Sequence, residues 1–167
     1  KGWGDGKDMG FFDGKTVLIT GITGSFGRAF LRRILRDNVV AVRGISRDEV
    51  KQASLIREIT DPRVKVWLGD VRDRDRLMLA CDGVDIVIHA AALKRIEVGN
   101  YNPIEMVKTN VDGAVNVIEA AQDASVKKGV AVSSDKAFQP VSPYGTSKAL
   151  AESIFLAANN TRGWNGP

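Results

Sequence analysis

Thr16 to Gly27 (TVLITGITGSFG) places a short run of β-branched and apolar residues directly before three glycines spaced GxxGxxG. Ser25 to Arg36 then carries Phe26, Ala29, Phe30 and Ile34 at helical spacing. A buried strand that turns at once into a helix admits few folds. Gly21 suits the tight turn, Gly24 lets backbone approach a bound group, and Gly27 lets the helix pack closely on the strand. The N–H groups of such a helix start lack partners and carry partial positive charge, a setting for a diphosphate. Gly21, Thr23, Gly24, Ser25, Phe26 and Gly27 are therefore read as a phosphate loop, with the Ser25 hydroxyl as an added donor.

The rest of the chain alternates in the same way. Val39 to Ile45, Val64 to Leu68, Val84 to His89 and Gly129 to Ser133 read as strands. Glu49 to Ile59, Asp73 to Cys81, Pro103 to Ala124 and Tyr144 to Ala158 read as helices, the third with proline in its first turn. Strands apolar throughout are buried on both faces, and their alternation with helices implies right-handed crossovers. The predicted fold is a doubly wound parallel α/β sheet of the Rossmann kind. Residues 1–14 read as a flexible leader, 15–160 as the dinucleotide-binding domain and 161–167 as a tail.

Composition narrows the function. The net charge of +4 is spread among both signs, which argues against a nucleic-acid partner. No apolar run is long enough for a membrane span, and a cytoplasmic location is expected. A lone cysteine, Cys81, has no second thiol to pair with and reads as a small buried apolar residue on a helix.

The end of the second strand chooses the cofactor. An acidic side chain there would mark an NAD ribose, whereas arginine accommodates a 2′-phosphate. The sequence offers Ser46-Arg47, with Lys51 one turn into the next helix, so NADP(H) is expected. The alternative is that Asp48 receives the ribose. Asp70-Val71 after the third strand fits an adenine contact, although Asp70 could equally cap the next helix. Tyr144 and Lys148 stand four residues apart on a helix and share a face, so the ammonium can lower the phenol's pKa and reach the cofactor ribose. Tyr144 then serves as a general base.

Thr20-Gly21-Ile22-Thr23-Gly24-Ser25-Phe26-Gly27, Gly69-Asp70-Val71-Arg72-Asp73, His89-Ala90-Ala91-Ala92 and Tyr144-Gly145-Thr146-Ser147-Lys148 together resemble the extended short-chain dehydrogenase/reductases. Within them, Ala90-Ala91-Ala92-Leu93-Lys94, Tyr101-Asn102-Pro103, Lys108-Thr109-Asn110 and Ser133-Ser134-Asp135-Lys136 are most similar to the inverting UDP-N-acetylglucosamine 4,6-dehydratases. The resemblance implies that Ala90, Ala91 and Lys94 contact the cofactor, that Asn110 orders the site, and that Ser134 contacts the reacting hydroxyl. It further implies that Tyr144 takes the 4-hydroxyl proton while hydride passes to the nicotinamide, and that Asp135 protonates the departing 6-hydroxyl. Lys136 removes the C5 proton, and its place in the pair, where retaining relatives hold an acid, implies inversion.

Members of that family carry about as many residues again beyond this region, and those supply most of the nucleotide-sugar pocket. The chain is therefore expected to be such a UDP-sugar dehydratase or its cofactor-binding half. The alternatives are an NADP(H)-binding module without dehydratase activity, or another extended-family activity such as a 4-epimerase or reductase. The two long helices, 103–124 and 144–158, are expected to pair subunits into a homo-oligomer.

Overall fold

The computed structural model describes residues 10–161. Five parallel strands, β1 (Thr16–Thr20), β2 (Ala41–Ser46), β3 (Val64–Leu68), β4 (Ile86–His89) and β5 (Lys128–Ala131), lie in the order β3-β2-β1-β4-β5. The register sets Ile19 beside Gly44 on one side and Ile88 on the other. Helices α1 (Ser25–Ile34), α2 (Glu49–Glu58), α3 (Arg74–Cys81), α4 (Ile96–Tyr101), α5 (Pro103–Met106), α6 (Gly113–Asp123) and α7 (Pro143–Thr161) cover the sheet.

Alternate residues of β1 feed two cores, which is why TVLIT is apolar without a polar face. Val17 and Ile19 pack with Leu31, Ile34 and Leu55 from α1 and α2. Leu18 packs on the opposite face with Leu77, Cys81, Val117 and Ala121 from α3 and α6. Cys81 is fully buried there, and burial pushes its thiol up to about 11, so it behaves as the expected small apolar residue. Asp48 and Asp73 cap α2 and α3 by accepting from the backbone N–H of Lys51 and Arg76.

The doubly wound parallel sheet is as expected, but several details differ. Residues 10–14, which fall in the expected flexible leader, form a turn fixed to the domain. Asp13 there accepts from the N–H groups of Gly10 and Asn38, and Phe12 packs edge-on against Phe30. Residues 1–9 lie outside the described part. Helix α7 continues through the expected tail boundary to Thr161, and residues 162–167 are likewise outside the described part. The long helix starting at Pro103 is interrupted by a π-helical turn, Val107–Asp112, that buries Thr109, Asn110 and Val111. Helix α4 had no counterpart in the sequence reading. No helix among the described residues is long and apolar enough to cross a membrane.

Candidate active site

The chain runs outward from β1 to β2 and β3, then returns past β1 to β4. Strand order therefore reverses between β1 and β4, where the diverging loops leave a crevice at the carboxyl ends of the strands. A cleft of about 260 Å³ occupies that place. Gly21, Thr23 and Gly24 form one wall, Ala90 and Ala91 another, and Ser46, Arg47, Lys51, Asp70, Val71 and Lys94 complete it. All eleven were predicted from sequence. Gly69, Ala92 and Thr109 also line the cleft and were not.

Gly21 has φ +71°, and a Cβ on it would lie 2.8 Å from Ala91 N and 2.9 Å from the Ala90 carbonyl. The phosphate loop and the β4 loop thus touch backbone to backbone, which only glycine permits. The N-cap of α1, Gly24, offers no side-chain cap, and the first turn holds no acid that would compete with an anion. Ser25 is exposed and does not reach the cleft; Phe26 stacks on Phe30, and Gly27 packs beneath the Gly21 carbonyl. These three shape the loop from outside rather than line it.

Charge is distributed by pairing. Asp48 caps α2 and ion-pairs with Lys51 at 2.9 Å, and its hydrogen bonds to Lys51 hold its carboxyl below the usual range. Burial alone would raise the Asp70 carboxyl, but hydrogen bonds from Arg72 and the charge of Arg47 bring it below its ordinary value. Arg47 lies 3.5 Å from Asp70 across the mouth of the cleft. Thr109 is 2% exposed, and its hydroxyl has no hydrogen-bond partner in the structure. An orphaned hydroxyl, an uncapped helix start and a glycine wall together fit a dinucleotide, whose phosphates and ribose would satisfy them.

The second group of predicted residues lies between β5 and α7. Ser134 accepts from the N–H of Lys136 and caps a 3-10 turn, Asp135–Ala137. Asp135 and Lys136 form an ion pair at 2.5 Å, and the Ser134 hydroxyl donates to Asp135 at 3.1 Å. A Cβ on Gly145 would collide with the Lys136 carbonyl, so this turn sits directly on the first turn of α7, beside half-buried Tyr144. Lys148 is engaged within the protein. Instead of reaching the dinucleotide cleft, its buried ammonium donates to the Val132 carbonyl at 2.6 Å, and burial lowers its pKa. A buried ammonium needs an acceptor, and the end of β5 supplies one.

Asn110, which the resemblance implies orders the site, makes its contacts within the protein. It accepts from Leu93 N–H at 2.8 Å and donates to the Leu93 carbonyl and to Ser147 Oγ, each at 2.9 Å. It therefore ties the β4 loop to the helix bearing Tyr144 and Lys148, and does not line the cleft.

Residues 17–166 match the family described as polysaccharide biosynthesis protein. The chain belongs to that family. It is 45% identical over 155 residues to a UDP-N-acetylglucosamine 4,6-dehydratase (inverting) of Campylobacter jejuni, covering 91% of this chain and 46% of that protein. It is 43% identical over 150 residues to a UDP-glucose 4-epimerase of Rickettsia bellii, covering 87% and 44%. The solved structure of a dTDP-glucose 4,6-dehydratase, DesIV of Streptomyces venezuelae with NAD and TYD bound, superposes with a TM-score of 0.83 at 28% identity, covering 89% of this chain and 52% of that one. The chain thus spans about half the length of the relatives it matches. The expected kinship with extended short-chain dehydrogenase/reductases is borne out.

Proposed function

We propose that this chain is the NADP(H)-binding half of a UDP-N-acetylglucosamine 4,6-dehydratase that inverts C5. The observation that carries the reading is the Asp135–Lys136 ion pair, mounted on a turn that rests against the helix of Tyr144 and Lys148. An acid and a base side by side, next to a phenol, suit an elimination in which one proton leaves carbon while another joins a departing oxygen. The Campylobacter relative carries that activity in its name.

A bound nicotinamide would supply the reversible oxidation at C4 that makes the C5 proton acidic. Gly21, Thr23 and Gly24 would hold its diphosphate, and Asp70 and Val71 would meet its adenine. Thr109 and Lys94 would meet its remaining polar groups. NADP is favoured because Asp48 is already engaged as a helix cap and with Lys51, while Ser46 and Arg47 line the cleft where a 2′-phosphate would lie. In a protein that carries this half together with the sugar-binding half, incubation with UDP-N-acetylglucosamine and catalytic NADP+ should give a 4-keto-6-deoxy sugar by NMR. Tight NADPH binding without product would instead support a cofactor-binding module. The Rickettsia relative favours a second reading, 4-epimerisation, in which a 4-epimer replaces that product.

A second copy of the chain is the proposed partner. Val107 on the long helix and Leu150 on α7 are exposed, and they line one apolar groove with Pro103 and fully exposed Val141. Sedimentation should show a dimer that Leu150→Glu converts to monomer. A monomeric unsubstituted chain would overturn this assignment.

A further inference from the structure

His89 is the only histidine in the sequence, and the proposed reaction gives it no part. It ends β4, is 2% exposed, and stacks on Phe155 of α7 with ring centroids 5.6 Å apart. Its Nδ1 lies 2.8 Å from Oγ1 of Thr20, the fully buried last residue of β1. The same oxygen accepts from the N–H groups of Ala90 and Ala91, each at 3.2 Å, and the Ala90 N–H is shared with the Thr20 carbonyl.

A hydroxyl has one proton and two lone pairs. With the lone pairs directed at two backbone amides, the proton goes to Nδ1, and the ring proton must reside on Nε2. The reverse arrangement would crowd three donors on one oxygen and leave a buried hydroxyl proton without an acceptor. We infer that Thr20 and His89 form a positioning pair that fixes a neutral Nε2–H imidazole and thereby locks the Ala90–Ala91 wall against Gly21.

The electrostatic surroundings agree. Lys148 and Glu152 of α7, with Lys127 and Lys128 at the start of β5, line the cavity that His89 borders. Burial, and after it the charge of Lys148, pushes the imidazole down to about 3. The ring therefore stays neutral, and its hydrogen bond to Thr20 does not switch with pH. The importance of the pair for binding rests on the dinucleotide reading, because the wall it fixes is a wall of that cleft.

Long-range nitrogen–proton NMR of the single imidazole tests the inference directly. It should show a protonated Nε2 and a bare Nδ1, without titration between about pH 5 and pH 8. Amide exchange at Ala90 and Ala91 should be slow, should quicken by about fivefold to tenfold in Thr20→Val, and should recover in Thr20→Ser. NADPH affinity should fall and recover in parallel. A Nδ1–H imidazole, a titrating ring, or unchanged exchange in Thr20→Val would overturn the pair. If the unsubstituted chain binds no NADPH, the dinucleotide reading fails, and the imidazole and exchange results still decide this inference.

Discussion

Replacing Lys136 by methionine is expected to lower formation of the 4-keto-6-deoxy sugar by about a thousandfold, within the range that a positioned acid or base contributes. Dinucleotide affinity should stay unchanged, because Lys136 does not line the cofactor cleft. The argument starts from where the proton rests. The hydrogen bond between the two side chains holds the Asp135 carboxyl below the usual carboxylate range and raises the Lys136 ammonium. At rest the proton is therefore on lysine, the opposite of what a lysine base and an aspartic acid require.

One proton passed from Nζ to the carboxylate arms both groups, and a sugar ring laid over the pair favours that neutral form by excluding water. On the proposed reading, elimination would then take the C5 proton onto Lys136 and give the Asp135 proton to the departing hydroxyl, which would leave as water. The ammonium and carboxylate are restored. Asp135→Asn should cost about as much as Lys136→Met, and the double variant little more, because the two act as one unit. NMR of product formation beside a binding titration checks this. Full formation of that sugar in Lys136→Met would remove Lys136 as the C5 base, whereas a 4-epimer as product of the unsubstituted protein would favour the epimerase, which needs no proton from C5.

The distinction between what could and could not be read from residues is physical. Strand β1 was predicted to the residue because Thr16 to Thr20 is buried on both faces and is followed at once by a glycine that demands positive φ. Eight of the eleven cleft residues were legible because they stand in the glycine loop or just past the ends of β2 and β3, whereas Ala90, Ala91 and Lys94 came only from the family resemblance. Helix α4 left no trace, since six residues containing Gly99 show no apolar period. The π-helical turn was equally invisible, because Lys108-Thr109-Asn110 fits ordinary helical spacing and nothing local signals the widened turn.

That turn buries Thr109 and Asn110 together, with Thr109 lining the cleft and the Asn110 amide bonded to Leu93 and Ser147. Two adjacent polar residues between apolar Met106 and Val111 were the available signal. Lys148 shows a different limit. Spacing placed it on the face of Tyr144, but only the structure shows that the Val132 carbonyl takes its ammonium.

The cleft itself is most sensitive at Gly21, where valine is expected to reduce NADPH affinity by at least about a thousandfold, or ~4 kcal/mol. The left-handed backbone at this position costs an L-residue roughly 1–2 kcal/mol. The new Cβ would also meet Ala91 N at 2.8 Å and the Ala90 carbonyl at 2.9 Å. Those are backbone atoms held by Thr20 and His89, so the phosphate loop must move rather than its neighbour. Each amide-to-phosphate bond it then loses is worth about 1.5–3 kcal/mol.

Gly24→Ala provides the contrast. Its backbone is extended, and its Cβ would meet only the Gly21 carbonyl at 3.2 Å, so affinity should fall by no more than about tenfold. Calorimetric titration with NADPH, with circular dichroism to confirm the fold, distinguishes the two. Equal losses at both positions would mean that neither the positive φ nor the contact with Ala90 and Ala91 governs binding.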